Sequence, residues 1–92
     1  MHKYIIERDM PGIGSATAAE RCAAARKSNE VLSKMGAGIQ WIESFLTPDK
    51  LYCVYLSDSV DKIRAHADQS GFPATAIHQI RTTLDPTSAE PV

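Results

Sequence analysis

Cys53 and His66 stand thirteen positions apart, and together they offer the sequence's most useful pair of donor atoms. A thiolate sulfur and an imidazole nitrogen are ligands that nickel, zinc or copper accept. By themselves the two residues favour a plainer reading, a structural cysteine in mid-strand and a partly exposed histidine late in a helix. His2, His66 and His78 fall into no His-Glu-x-x-His or other close-spaced ligand motif, and Cys22 and Cys53 make no Cys-x-x-Cys. Cys22 falls on the inward side of an expected helix and reads as core. Glu7, Glu43 and Arg81 are charged positions inside expected strands, so each must meet water or a polar cavity on a bare sheet face. Glu7 and Arg81 also suit a surface ion pair of small energetic weight. Trp41, Tyr4, Tyr52 and Tyr55 could stack on a planar ligand, yet aromatics in a small sheet belong more often to a core or an interface. The Pro11-Gly12-Ile13-Gly14 stretch lacks the further glycine or lysine of a phosphate cradle and reads as a loop. No Ser-His-Asp order or paired acids can be recognised, so the residues assign no catalytic step.

These side chains must be placed by the elements around them. Tyr4–Arg8 is short, β-prone and closed by Pro11, Gly12 and Gly14, which reads as a first strand. Ser15 or Thr17 can cap a long helix ending at Met35 before Gly36, with Thr17 and Glu20 at capping-box spacing. Residues 39–47 and 51–56 are rich in aromatic and β-branched side chains, and Pro48-Asp49 suits the centre of a type I turn, so a hairpin is expected. A two-residue loop would set Cys53 beside Ser44 and turn Glu43 to the other face, and one slip of register reverses this. Ser57 or Asp58 can cap a second helix that Gly71 and Pro73 stop. Residues 77–84 alternate as a half-buried last strand. The order β-α-β-β-α-β is that of an α+β ferredoxin-like sandwich, a four-stranded antiparallel sheet with both helices on one face. Its first and third strands are then central. Leu51, Cys53 and Tyr55 alternate with Tyr52, Val54 and Leu56, so both faces of the third strand are apolar and a homodimer formed through the bare face is expected.

At 92 residues and a formal charge of -1, the chain fits a single domain over residues 1–85 with a flexible tail over 86–92, and nucleic acid is an unexpected partner. The first residues contain neither a signal segment nor a membrane span, so no membrane partner and a cytoplasmic location are expected. Two cysteines are too few for a disulfide framework and read as free thiols.

Taken together, five blocks resemble one family: Glu7-Arg8-Asp9-Met10-Pro11-Gly12, Gly38-Ile39-Gln40-Trp41, residues 47–55, Ile63-Arg64-Ala65-His66-Ala67 and Gly71-Phe72-Pro73-Ala74. That family is the small bacterial nickel-binding proteins of ferredoxin-like fold, otherwise a domain of unknown function. The resemblance implies a homodimer that binds nickel near its interface, in metal storage, buffering or response. It points to Cys53 and His66 as metal ligands because they lie inside the matching blocks, with Glu7 as a weaker oxygen donor. His2 lies outside the blocks and is an accessible extra donor near the amino terminus. A two-fold interface would present each donor twice, and affinity should fall with pH as protons compete for sulfur and imidazole. Zinc and copper accept the same donors. Two other readings stand beside this one. The first is a small-molecule-binding protein or enzyme of the dimeric ferredoxin-like barrel type, whose sheet-face cavity would be lined by Glu7, Arg81, Tyr55 and Trp41. The second is a metal-free interaction module.

Overall fold

The computed structural model describes all 92 residues. β1 (His2–Asp9) leads through a 3-10 turn at Ile13–Ser15 into α1 (Ala18–Met35), followed by β2 (Ile39–Leu46), β3 (Lys50–Ser57), α2 (Val60–Ser70) and β4 (Ala76–Gln79). The strands form one antiparallel sheet in the order β2-β3-β1-β4, with α1 and α2 together over one face. This is the ferredoxin-like sandwich expected from the sequence, with the first and third strands central.

Local chemistry sets most of the boundaries. The Thr17 hydroxyl accepts from the Glu20 N–H at 3.1 Å and the Glu20 carboxylate accepts from the Thr17 N–H at 2.9 Å, so both halves of the capping box form. The cap of α2 is Ser59, not Ser57 or Asp58, and accepts from the Lys62 N–H. The two expected caps are engaged elsewhere: Ser57 donates to the Ser59 carbonyl at 2.8 Å, and Asp58 pairs with the Lys62 ammonium at 2.8 Å. Gly71, at φ 80°, closes the helix in the left-handed conformation.

β4 is shorter than the expected strand over 77–84. Gln79 pairs with Tyr4 and the Ile80 N–H reaches the Lys3 carbonyl at 2.8 Å. β1 begins at His2, so the ladder has almost no strand left to follow, and residues 81–92 are exposed. Within that stretch Asp85 caps a 3-10 turn at Pro86–Ala89, at the start of the segment read as a tail.

The core gathers Tyr4, Ile6, Ile39, Cys53, Tyr55 and Ile63, with Leu32 and Met35 packed against it from the second half of α1. The first half of α1 contributes little. Cys22 is exposed and not part of the core, because the side of α1 turned to the sheet runs through Arg21, Ala24, Ala25 and Ser28 and Cys22 falls outside it. The other sheet face has no helix over it. Register places Ile5, Val54, Tyr52 and Leu56 there in the central strands and Phe45 on β2, where Phe45 is 52% exposed and Ile42, at a bulge, 49%.

Candidate functional site beneath the first helix

Pairing fixes which side chains meet under the helices. Ile6, Cys53, Ser44 and Ile77 share one row, and Tyr4, Tyr55 and Trp41 share the next. Arg8 falls in the row beyond Ile6, facing the helices, and is fully buried. Its Nε donates to the Cys53 sulfur at 3.4 Å and its Nη1 to the Pro73 carbonyl at 2.8 Å, while the Phe72 ring lies 5.8 Å from the guanidinium carbon. Nη2 has no partner. No carboxylate answers this charge, since the ion pairs of the molecule join Lys34 to Glu30, Lys50 to Glu7 and Asp9, and Lys62 to Asp58. Arginine holds its charge even when buried, so the guanidinium relies on a sulfur, a carbonyl and an aromatic ring.

His66 is the second fully buried polar group. Its Nε2 lies 3.1 Å from the Ser28 hydroxyl, its Nδ1 has no partner, and its ring tilts against Tyr55 at 5.3 Å between centroids. Burial, and after it the Arg8 charge, lowers the imidazole's proton affinity. Burial likewise raises the Tyr55 phenol, helped by the neighbouring Cys53. Arg8, Cys53, Tyr55, Ser28 and His66 thus form a polar seam within the apolar layer.

A cavity of about 310 Å³ lies between this seam and the first half of α1. Ala24 and Ala25 face it from the helix, Trp41 and Leu51 from the sheet, and Arg8 and Cys53 form part of its floor. It exists because small side chains on α1 leave a gap that larger ones would fill. Trp41 is held by its indole N–H donating to the Ser44 hydroxyl at 2.9 Å.

The four residues first considered as metal ligands do not gather. Cys53 and His66 lie on the covered side near Tyr55, Cys53 in the cavity wall and His66 outside the cavity lining. Glu7 is on the opposite face, paired with the Lys50 ammonium at 3.3 Å, which also holds Asp9 at 3.2 Å. That ammonium takes the place expected for Arg81, which lies exposed beyond β4. His2 is exposed at the start of β1. No three His, Cys, Asp or Glu side chains within this single chain stand close enough to surround an ion. Tyr55 and Trp41 do border a cavity, but on the helix side, and neither Glu7 nor Arg81 lines it. Arg8 was missed in the sequence although it continues the alternation of buried Tyr4 and Ile6, a signal that could have found it.

Fold and seam define a small α+β protein of ferredoxin-like architecture with a buried polar cluster under its helices. A family model described as nickel responsive protein SCO4226-like matches residues 4–80. The chain belongs to that family. Among solved structures it is similar to the crystal structure of SCO4226 from Streptomyces coelicolor A3(2), with a TM-score of 0.74 and 15% identity over 89% of this chain and 99% of that one. At that identity the likeness carries the fold alone. No curated protein matches the chain.

Proposed function

We propose that the protein takes part in the cell's response to nickel by binding the ion itself, as a homodimer joined through the open sheet face. Membership of residues 4–80 in a nickel responsive family carries this reading. The open face supports the second half of it, since an apolar strip through Ile5, Val54, Tyr52 and Phe45 lies on the side without helices.

One chain offers too few convergent donors, and two copies would offer each donor twice. Glu7 is the nominated residue best placed for sharing. His78 sits opposite Ile5 and Ala76 opposite Glu7, so Glu7 and His78 are diagonal neighbours on the open face. A carboxylate and an exposed imidazole from each copy supply oxygen and nitrogen donors that suit nickel, and zinc or copper as well. Cys53 and His66 are the rival pair. They bring a softer donor, but a cation stands beside each site: the half-exposed Lys50 ammonium at Glu7 can swing aside to Asp9 or water, whereas the fully buried Arg8 guanidinium beside Cys53 cannot, and opposes a second positive charge there.

Tag-free protein tested by elemental analysis, calorimetry and light scattering decides between these sites. The expected result is a dimer that retains nickel, with binding weakened at least tenfold in Glu7→Gln and His78→Gln. Loss in Cys53→Ala and His66→Gln with binding intact in the first two variants would move the site beneath the helices. A monomer indifferent to nickel would overturn the proposal.

A further inference from the structure

The cavity under α1 is independent of the proposed nickel site, lying on the other side of the sheet. The geometry points to this cavity as a binding site for a small organic monoanion, an apolar body carrying one carboxylate that Arg8 neutralises. Three features converge on that chemistry. The walls are mostly apolar, with Ala24, Ala25, Trp41 and Leu51 among them, and the volume of about 310 Å³ lies at the lower end of the range for small-molecule sites. A guanidinium that is fully buried and has no acidic partner forms part of the floor. Finally, Nε and Nη1 are engaged while Nη2 has no partner, so one corner of the fork remains for an acceptor.

A buried unpaired cation is costly, and an anion delivered by a ligand would answer it without a protein carboxylate. A single charge with one open corner suits a carboxylate better than a doubly charged phosphate. The other charged cavity residues are already engaged near the start of α1: Glu20 accepts from the Thr17 N–H, and Arg21 donates to the Ala16 carbonyl at 2.7 Å. Nη2 is screened from solvent, so a side chain of the cavity floor must shift for the carboxylate to reach it.

Trp41 is the single tryptophan of the chain and lines the cavity, so its fluorescence reports occupancy. Octanoate and 1-octanol, equal in length and different in charge, are titrated into metal-free protein in the presence of EDTA, which keeps carboxylate–nickel coordination out of the signal. Octanoate should change the Trp41 emission and bind at least tenfold more tightly than the alcohol. Arg8→Met should remove that preference. Since Arg8→Met can also impair folding, Ala25→Leu provides a second arm: it narrows the cavity from the helix side, retains the charge and should weaken octanoate binding at least tenfold in a folded protein. Equal binding of acid and alcohol, a preference that survives Arg8→Met, or an octanoate response unchanged in folded Ala25→Leu would each overturn the assignment, as would no response to either compound. Nickel retention plays no part in these readouts, so either proposal can fail alone.

Discussion

A guanidinium and an imidazole share the dry side of this sheet, and neither has an acid beside it. For His66 the consequence is a pH dependence of known sign. Its folded proton affinity is lowered by burial and by Arg8, whereas the unfolded imidazole titrates near the ordinary value of about 6.5. Between the lowered folded value and that of the unfolded chain, the unfolded state binds more protons. The stability His66 contributes is therefore complete above about pH 6.5 and is lost as the pH falls through that window. Urea midpoints measured from about pH 7.5 down to about pH 5 should drop more steeply in the native protein than in His66→Gln. Parallel curves would mean that the folded site accepts a proton as easily as the unfolded chain. The sequence made Cys53 and His66 visible as donors because their types are chemically distinctive. It hid the partner that matters to both, since Arg8 looks like an ordinary strand charge until its phase with Tyr4 and Ile6 is taken seriously. It also hid the cavity, which consists of space left by alanines and has no residue signature.

Elements whose ends are set by local chemistry were legible, and those set by a neighbour were not. Thr17 and Glu20 satisfy each other within one turn, and Pro48-Asp49 joins two strands whose register places Cys53 opposite Ser44 as expected. β4 could not be measured in this way: residues 80–84 alternate like a strand, but their length in the sheet depends on where β1 begins. The cap of α2 moved to Ser59 because Ser57 and Asp58 found partners of their own. The glycine loop before α1 is indeed a plain loop, and it is docked. Gly12 and Gly14 donate backbone N–H groups to the Asp49 carboxylate at 2.9 Å and the Pro48 carbonyl at 3.0 Å. A methyl group at Gly14 would lie 2.8 Å from both the Pro48 Cα and the Thr47 carbonyl oxygen, so backbone would have to yield. Gly14→Ala should therefore cost about 1–3 kcal/mol, the usual range for overpacking. Chemical denaturation at neutral pH measures it, and an unchanged midpoint would show that the turn shifts freely. Because the loop leads into α1, the same variant should also disturb the Trp41 emission from the cavity wall.

Across the whole molecule the accessible surface exceeds the usual value for a folded monomer of this mass. The accessible area is 6085 Å², whereas a folded monomer of 10.1 kDa exposes about 5,300 Å² by the usual scaling. The excess is about 800 Å², close to what one partner buries in a standard protein interface. Part of it comes from the extended segment after β4, where Leu84 is 86% exposed, and part from the open sheet face with Phe45 and Ile42. Val54 is the residue with which to test that face. It stands in a central strand, opposite Ile5 and Glu43, and its side chain is directed away from the helices. A lysine there would place a charge in the middle of the proposed interface, where pairing with Glu43 across the strands offsets only part of the several kcal/mol of desolvation, and would leave the covered core untouched. Val54→Lys should sediment as a monomer at concentrations where the native protein is a dimer, with an unchanged circular dichroism spectrum. If Glu7 and His78 act from both copies, nickel retention should fall along with the dimer; if the ion lies beneath the helices, retention should persist in the monomer. Octanoate binding should persist in either case, because the cavity is on the other side of the sheet and is built within one chain. A dimer that survives Val54→Lys would place the subunit contact elsewhere, with the segment after β4 the next surface to remove.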